Sequence, residues 1–269
     1  MTAFLAAQRV LPVGLGSRRA WLLIERNLFV YRSGWIVILS GFFEPLFYLL
    51  SIGFGLGKLV GDVTGPGGEQ IPYALFVAPA LLAASAMNGA ITESTFNFFF
   101  KLNYDKTFAS ILTTPMSPAD ISLGELAWAL IRGALYTIGF IAVMFVMGLV
   151  RSPLIVLTLP GALLIGFTFA SVGMAATSFM RTWQDFDLIQ LVILPMFLFS
   201  GTFFPLDSFP EAARILIHLT PLYHGVDLLR GLSVGVVGPE TLVHVGYLTL
   251  IGLLGMAVVS RRLDKLLLK

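Results

Sequence analysis

Apolar stretches near or above the roughly 18 residues needed to cross a bilayer recur along this chain from residue 35 to residue 260. They are placed at about 35–57, 73–95, 123–150, 154–178, 186–204 and 239–260. No soluble domain fits between them. Only 12% of the 269 residues are charged and 57% are hydrophobic, against roughly 25% charged in an average soluble domain. The expected fold is therefore an all-α integral membrane protein with six transmembrane helices.

Orientation is read from the basic residues. With the N-terminus in the cytoplasm, the cytoplasmic segments hold Arg9, Arg18, Arg19, Arg26, Arg32, Lys101, Lys106, Arg181, Arg261, Arg262, Lys265 and Lys269. The outer segments hold only Lys58, Arg151, Arg214 and Arg230. This asymmetry predicts that both termini are cytoplasmic. Residues 1–16 lack the ordered regions of a cleaved secretory signal, so the N-terminus is read as retained. The chain has no cysteine, which removes disulfides, thiolate metal sites and cysteine nucleophiles together.

Residues 1–34 form a separate N-terminal segment. Within it, Arg18, Arg19, Glu25, Arg26 and Arg32 share one helical face while Trp21, Leu22, Ile24, Leu28 and Tyr31 cover the rest, the pattern of an amphipathic helix lying in the inner interface. Residues 35–269 make up the membrane domain. A glycine-rich outer loop, Gly61 to Gly68, separates its first two spans. The longest cytoplasmic loop, residues 101–121, has room for one short helix from Asp105 to Thr113, stopped by Pro115. Phe108, Ile111 and Leu112 on that helix are expected to present an apolar knob to a partner.

Residues 205–236 fit no simple span. Ser208 and Glu211 have the spacing of a capping box for a helix starting near Phe209, and that helix must stop before Pro221. A second helix is expected from about Tyr223 to Leu232. Each piece is about 16 Å long at 1.5 Å per residue, too short for a hydrocarbon core of about 30 Å. Counting the pair as one broken span would carry the basic C-terminus outside, so an outer re-entrant helical hairpin is expected, its tip covered by protein or water.

Gly53 to Leu59 superficially suggests a phosphate loop, but Ile52 and Leu59 stand where its first glycine and its Ser or Thr are required. No nucleotide site and no cofactor are therefore expected in this chain. Gly231, Ser233 and Gly235, followed by Glu240 and His244, match a nucleophile elbow in spacing only, because no strand precedes the serine. His218, His224 and His244 lack metal-ligand spacing, and no metal site is expected. Ionisable residues at membrane depth are functional hypotheses by default: Glu44 beside Pro45, Glu93, Glu125 and Arg132. Two readings stay open for them, an internal pairing of Arg132 with one of the acids and a place on the transport pathway.

From Leu194 the sequence runs Leu-Pro-Met-Phe-Leu-Phe-Ser-Gly-Thr-Phe-Phe-Pro, with Pro195, Ser200, Gly201, Phe204 and Pro205, and is followed by Pro210, Pro221, Leu222, His224 and Arg230. This resembles the C-terminal signature of ABC-2-type permeases, in particular the branch of the nodulation lipo-oligosaccharide and daunorubicin-type exporters. Lys106, Thr107, Leu112, Thr114, Pro115 and Ser117 resemble that family's coupling-helix segment. The likeness covers nearly the whole chain. It implies a permease in the bacterial inner membrane that dimerises with an identical or related copy and pairs with two separate ATPase subunits, which bind the ATP and Mg. It also implies that a coupling helix carrying Lys106, Thr107, Phe108, Ile111, Leu112 and Pro115 enters a groove on each ATPase. The family often has an acidic residue soon after the threonine, whereas here Phe108, Ala109 and Ser110 follow Thr107.

The function this predicts is ATP-driven export of an amphiphile, whether lipid, glycolipid, lipo-oligosaccharide or hydrophobic drug, with membrane lipid as the surroundings and no nucleic-acid partner. Two other classes remain open at this point: an ion-coupled secondary transporter using Glu44, Glu93 or Arg132, and an intramembrane serine hydrolase using Ser233.

Overall fold

A computed structural model describes residues 16–32, 43 and 46–267. Glu44 and Pro45, most of the first expected span and the extreme termini lie outside the described residues. Among the described residues ten helices follow in order: α1 (Gly16–Arg32), α2 (Leu46–Val60), α3 (Tyr73–Tyr104), α4 (Thr107–Ile111), α5 (Pro118–Val146), α6 (Thr158–Thr177), α7 (Asp185–Phe199), α8 (Glu211–His218), α9 (Pro221–Val234) and α10 (Pro239–Leu267). Four of these described stretches are long and apolar enough to cross a membrane: α3, α5, α6 with the 3-10 turn Pro153–Leu157 that leads into it, and α10. The structure is that of a helical membrane protein.

α3 is the axis. Its apolar residues run all round the helix rather than along one stripe, the mark of a helix buried on every side, and Val77, Ala78, Ala80, Ala83 and Met87 have no exposed surface. α2, α5, α6 and α9 pack around it. Thirty-two residues give about 48 Å at 1.5 Å per residue, longer than a hydrocarbon core of about 30 Å. One end of α3 carries the 105–117 segment and is here called the loop end. The hydrogen bonding there widens to π-helical over Glu93–Asn97 and Phe100–Tyr104. Such bulges rotate the side chains that follow and frequently accompany function.

Without a hydrophobic drive between helices in lipid, close packing depends on small residues. α10 lies on α6, where a Cβ on Gly255 would come within 2.9 Å of the Val172 backbone nitrogen. α1 lies on the start of α5, where a Cβ on Gly124 would sit 2.6 Å from Leu23 Cδ1 and 3.2 Å from the Ala20 carbonyl. α1 buries Ala20, Leu23 and Asn27 against α5 while Trp21, Leu22, Leu28, Phe29 and Val30 stay exposed, so it has an inward stripe and a bare apolar one.

α5 starts where Ser117 Oγ accepts from the Asp120 backbone N–H at 3.2 Å and Asp120 returns a contact to the Ser117 N–H at 2.8 Å, a reciprocal cap with Pro118 in the first turn. α9 starts likewise at Thr220 and Pro221 and stops at Gly235, whose φ of 93° closes the helix.

Several expectations are corrected. The loop 61–68 is part of an antiparallel pair, β1 (Asp62–Thr64) and β2 (Gln70–Pro72), with Val63 opposite Ile71. The capping box at Ser208 does not form: Ser208 ends a 3-10 turn, and α8 begins at Glu211 behind Pro210 with no side-chain cap. α7 ends at Phe199 rather than 204, because Ser200 to Phe204 bend around Gly201 at φ 71°. The break before Pro221 is present, and α8 and α9 lie on either side of it.

Candidate functional site

Two polar regions lie at opposite ends of this bundle. At the loop end, the π-helical turn brings Glu93 of α3 against Arg132 of α5, where the two form a buried ion pair. Arg132 also donates to the Tyr31 hydroxyl at 3.2 Å and to the Tyr136 hydroxyl at 2.8 Å. Its guanidinium lies 5.0 Å from the Tyr31 ring centre, a cation–π distance. Asn97, one turn beyond Glu93, donates to the same Tyr31 hydroxyl at 3.3 Å.

The second acid, Glu125, is not Arg132's partner. It meets Lys101, with 2.6 Å between Nζ and Oε2, and Lys101 reaches Asn27 of α1 at 3.4 Å. Two neighbouring ion pairs, Glu93–Arg132 buried and Lys101–Glu125 with its lysine half-buried, thus tie α1, α3 and α5 together. A buried charge is tolerated when it is paired; here each charge has an opposite partner, while Arg132 Nε, Glu125 Oε1 and Asn27 Nδ2 are buried without a hydrogen-bond partner among the described residues.

The 105–117 segment hangs directly from it. Lys106 takes a left-handed backbone conformation with φ 48° and turns the chain from α3 into α4. Phe108 has no exposed surface and packs on Phe98 with ring centres 4.9 Å apart. That corrects the expected knob: Phe108 anchors the segment inward, and Ile111 and Leu112 are half-buried beside it. The outward face consists of Asp105, Lys106, Ala109, Ser110, Thr113, Thr114 and Pro115, with Thr107 half-buried at its rim. Arg19 of α1 donates to the Pro115 carbonyl at 2.6 Å, so α1 grips the far end of the segment. At the start of α7, Asp185 accepts from the backbone N–H groups of Arg181 and Thr182 at 2.7 and 3.0 Å. Those two bonds hold its carboxyl below the usual carboxylate range.

At the opposite end, here the hairpin end, α9 packs beside α3 and α10, with α8 leading into it, and gathers residues of the 194–230 signature. Arg230 is buried; it donates to the Gly201 carbonyl at 2.7 Å and to the Phe76 carbonyl at 3.1 Å, and stands 3.7 Å over the Phe76 ring. Ser200 Oγ lies 3.0 Å from Thr220 Oγ1, beside Pro221. Pro195 and Phe204 are exposed, and Pro205 leads into the 3-10 turn. His224 meets His244 of α10. Ser233 lies inside α9 and donates back to the Leu229 carbonyl at 2.7 Å, so the strand–turn–helix context of a nucleophile elbow is missing here.

Sequence reasoning missed Tyr31, Asn27, Asn97, Tyr136 and Lys101 in the network. Tyr136 was within reach of it, four residues along the helix from Arg132. Asn97 stands four residues from Glu93 in the same way, whereas Tyr31, Asn27 and Lys101 depend on the approach of elements that no spacing rule encodes.

Long apolar helices packed through small residues, with charges paired inside the bundle, define a polytopic helical membrane protein. The comparison with known sequences gives the family. Residues 18–233 match the model of the ABC-2 type transporter, and the chain belongs to that family. It is 33% identical over 250 residues to nodulation protein J of Sinorhizobium fredii, covering 90% of this chain and 94% of that protein. It is 32% identical over 250 residues to nodulation protein J of Rhizobium leguminosarum bv. viciae, covering 90% and 95%. With nodulation protein J of Rhizobium meliloti it shares 33% over 229 residues, 84% of each chain. These likenesses place it in the nodulation branch of the ABC-2 permeases, as a membrane transport subunit.

Proposed function

We propose that this chain is the membrane-spanning subunit of an ATP-driven exporter for an amphiphile with a lipid-like part, working as two copies with two separate ATPase subunits in a bacterial inner membrane. The observation that carries this reading is the 105–117 segment: an outward polar face, anchored inward by Phe108 and tied at its ends to α1 and α3. It lies inside the stretch that matches the family model. In this reading the loop end faces the cytoplasm, as does the basic C-terminus, and the ATPase docks against Lys106, Ser110, Thr113 and Pro115. Six spans follow if α2 completes a crossing with the residues before it and α7 crosses together with the bend at 200–204. α8 and α9 then form an outer re-entrant hairpin.

Mechanically, nucleotide binding in the ATPases displaces the segment. Because Arg19 holds Pro115, and Lys101 and Glu93 hold α5, α1, α3 and α5 move as one body and open a path between the two copies. The absence of a phosphate loop in this chain makes a separate ATPase a requirement of the reading.

The test is purification of the tagged full-length chain from its native membrane, followed by reconstitution in proteoliposomes. The expected result is a co-purifying ABC ATPase in equal copy number whose hydrolysis drives transport of an amphiphile. Transport driven by a proton gradient with no nucleotide-binding subunit present overturns it in favour of an ion-coupled carrier working through Glu93 and Arg132.

A further inference from the structure

The hairpin-end histidines have no part in the reading above, yet they meet in an arrangement that only certain protonation states permit. His224 on α9 and His244 on α10 are each 8% exposed. Their Nδ1 atoms lie 2.8 Å apart, and His224 Nε2 lies 2.9 Å from the His218 carbonyl of α8. On its other side His244 Nε2 lies 3.0 Å from Asp227 Oδ2, off the line of a full hydrogen bond, so that contact is carried by charge.

The protons can be counted around this chain. A carbonyl only accepts, so His224 Nε2 carries a hydrogen and, in the neutral ring, its Nδ1 is a lone pair. The contact between the two Nδ1 atoms then requires the hydrogen on His244 Nδ1. A neutral His244 so protonated would turn its Nε2 lone pair toward the Asp227 carboxylate at 3.0 Å, which is repulsive. Two arrangements satisfy all three contacts with Asp227 ionised, and they differ only in which Nδ1 holds the shared hydrogen: an imidazolium at His244 beside a neutral His224, or an imidazolium at His224 beside a His244 protonated only on Nε2. In both the pair carries one proton beyond neutrality. A further proton on the pair would set two N–H groups and two positive charges against each other at 2.8 Å.

We propose that His224 and His244 form a proton-binding latch between the hairpin and the last long helix, closed while the pair carries one proton beyond neutrality and opened by a second. The surroundings suit this. Tyr247 of α10 stacks on His224 with ring centres 4.0 Å apart, and its hydroxyl donates to the Leu219 carbonyl at 2.6 Å, closing the same seam. Tyr223 of α9 is edge-on to both imidazoles and to His218 of α8. Asp227 is the nearby carboxylate, Glu240 of α10 lies farther out, and Arg230 is committed to backbone carbonyls. Burial, opposed by the bond to the His218 carbonyl, holds His224 below its ordinary value. The sign follows: a ring kept neutral in the closed form stabilises that form above the ordinary histidine value of about 6.5 and loses it as pH falls below.

The chain has three histidines, all in this region, so 15N-histidine NMR of the full-length protein in nanodiscs reads the latch directly. At pH 7.5 the expected spectrum has one doubly protonated ring and one neutral ring protonated at Nε2, joined by a hydrogen-bonded Nδ1 proton that disappears on acidification to pH 5. Three neutral rings at pH 7.5, or three that titrate independently near 6.5, overturn the proposal. A second measurement uses His224→Asn, whose side-chain oxygen still accepts from His244 and does not titrate. Thermal stability of the wild type is expected to fall by about 2–4 °C or more between pH 7.5 and 5, and this step is expected to vanish in the variant. A step of equal size in both overturns the latch. If the variant does not fold, the wild-type spectrum decides by itself.

Discussion

Lys101 Nζ and Glu125 Oε2 lie 2.6 Å apart, and this pair joins the far end of the longest helix to the first turns of α5, immediately above the segment that projects from the bundle. Removing one partner leaves the other charge buried, which typically destabilises by about 3–5 kcal/mol, whereas replacing both with apolar residues of similar size is often close to neutral. Lys101→Met and Glu125→Leu are therefore each expected to lower thermal stability in detergent by more than the double variant does. Additive losses would show that the two do not interact.

Gly124 faces Leu23 too closely for any side chain. Gly124→Ala is expected to push α1 off α5 and to destabilise by about 1–3 kcal/mol, the usual range for overpacking. Leu23→Ala in the same chain should recover part of that loss, measured as the melting temperature of the purified protein.

Phe108 and Ser110 lie two residues apart on α4 and should separate folding from docking. Phe108→Ala empties a fully buried aromatic position and is expected to cost about 3–5 kcal/mol, visible as lost thermal stability before any partner is added. Ser110→Arg and Thr113→Arg are expected to leave the melting temperature unchanged while abolishing co-purification of the ATPase. Retained co-purification with both would place the docking face elsewhere.

The left-handed turn at Lys106 gives a prediction of opposite sign. A β-branched residue is poorly tolerated at positive φ, so Lys106→Val is expected to destabilise the turn into α4. Lys106→Gly, free to adopt that φ, should leave stability unchanged or slightly raised by the same assay.

Much of this architecture is legible in the residues themselves. The apolar windows mark α3, α5, α6 and α10, and Pro221 marks the break between α8 and α9. Arg132 at membrane depth demands a partner. Which acid it takes is not legible, because Glu93 is swung into place by a π-helical turn that no residue pattern announces, and Lys101, read only as a topology signal, claims Glu125. Phe108 is misread for a related reason: on a five-residue helix the apolar side chains point toward a partner or into the chain with equal ease, and only Phe98 decides which. The meeting of His224 with His244 joins two helices twenty positions apart, a distance at which spacing carries no information. At Ser208 the capping spacing is present, but Phe209 stays extended and the N-cap position falls on Pro210, two residues beyond the serine.

The inward turn of Phe108 also bears on how such a subunit evolves. With that ring committed to Phe98, the outward face between Lys106 and Pro115 is left with Ala109, Ser110, Thr113 and Thr114, small side chains over nearby backbone. Recognition of such a face rests on contour and main-chain groups more than on side-chain identity. If a partner docks there as proposed, exchanges among small side chains on that face should be tolerated as long as the buried aromatic keeps the contour in place.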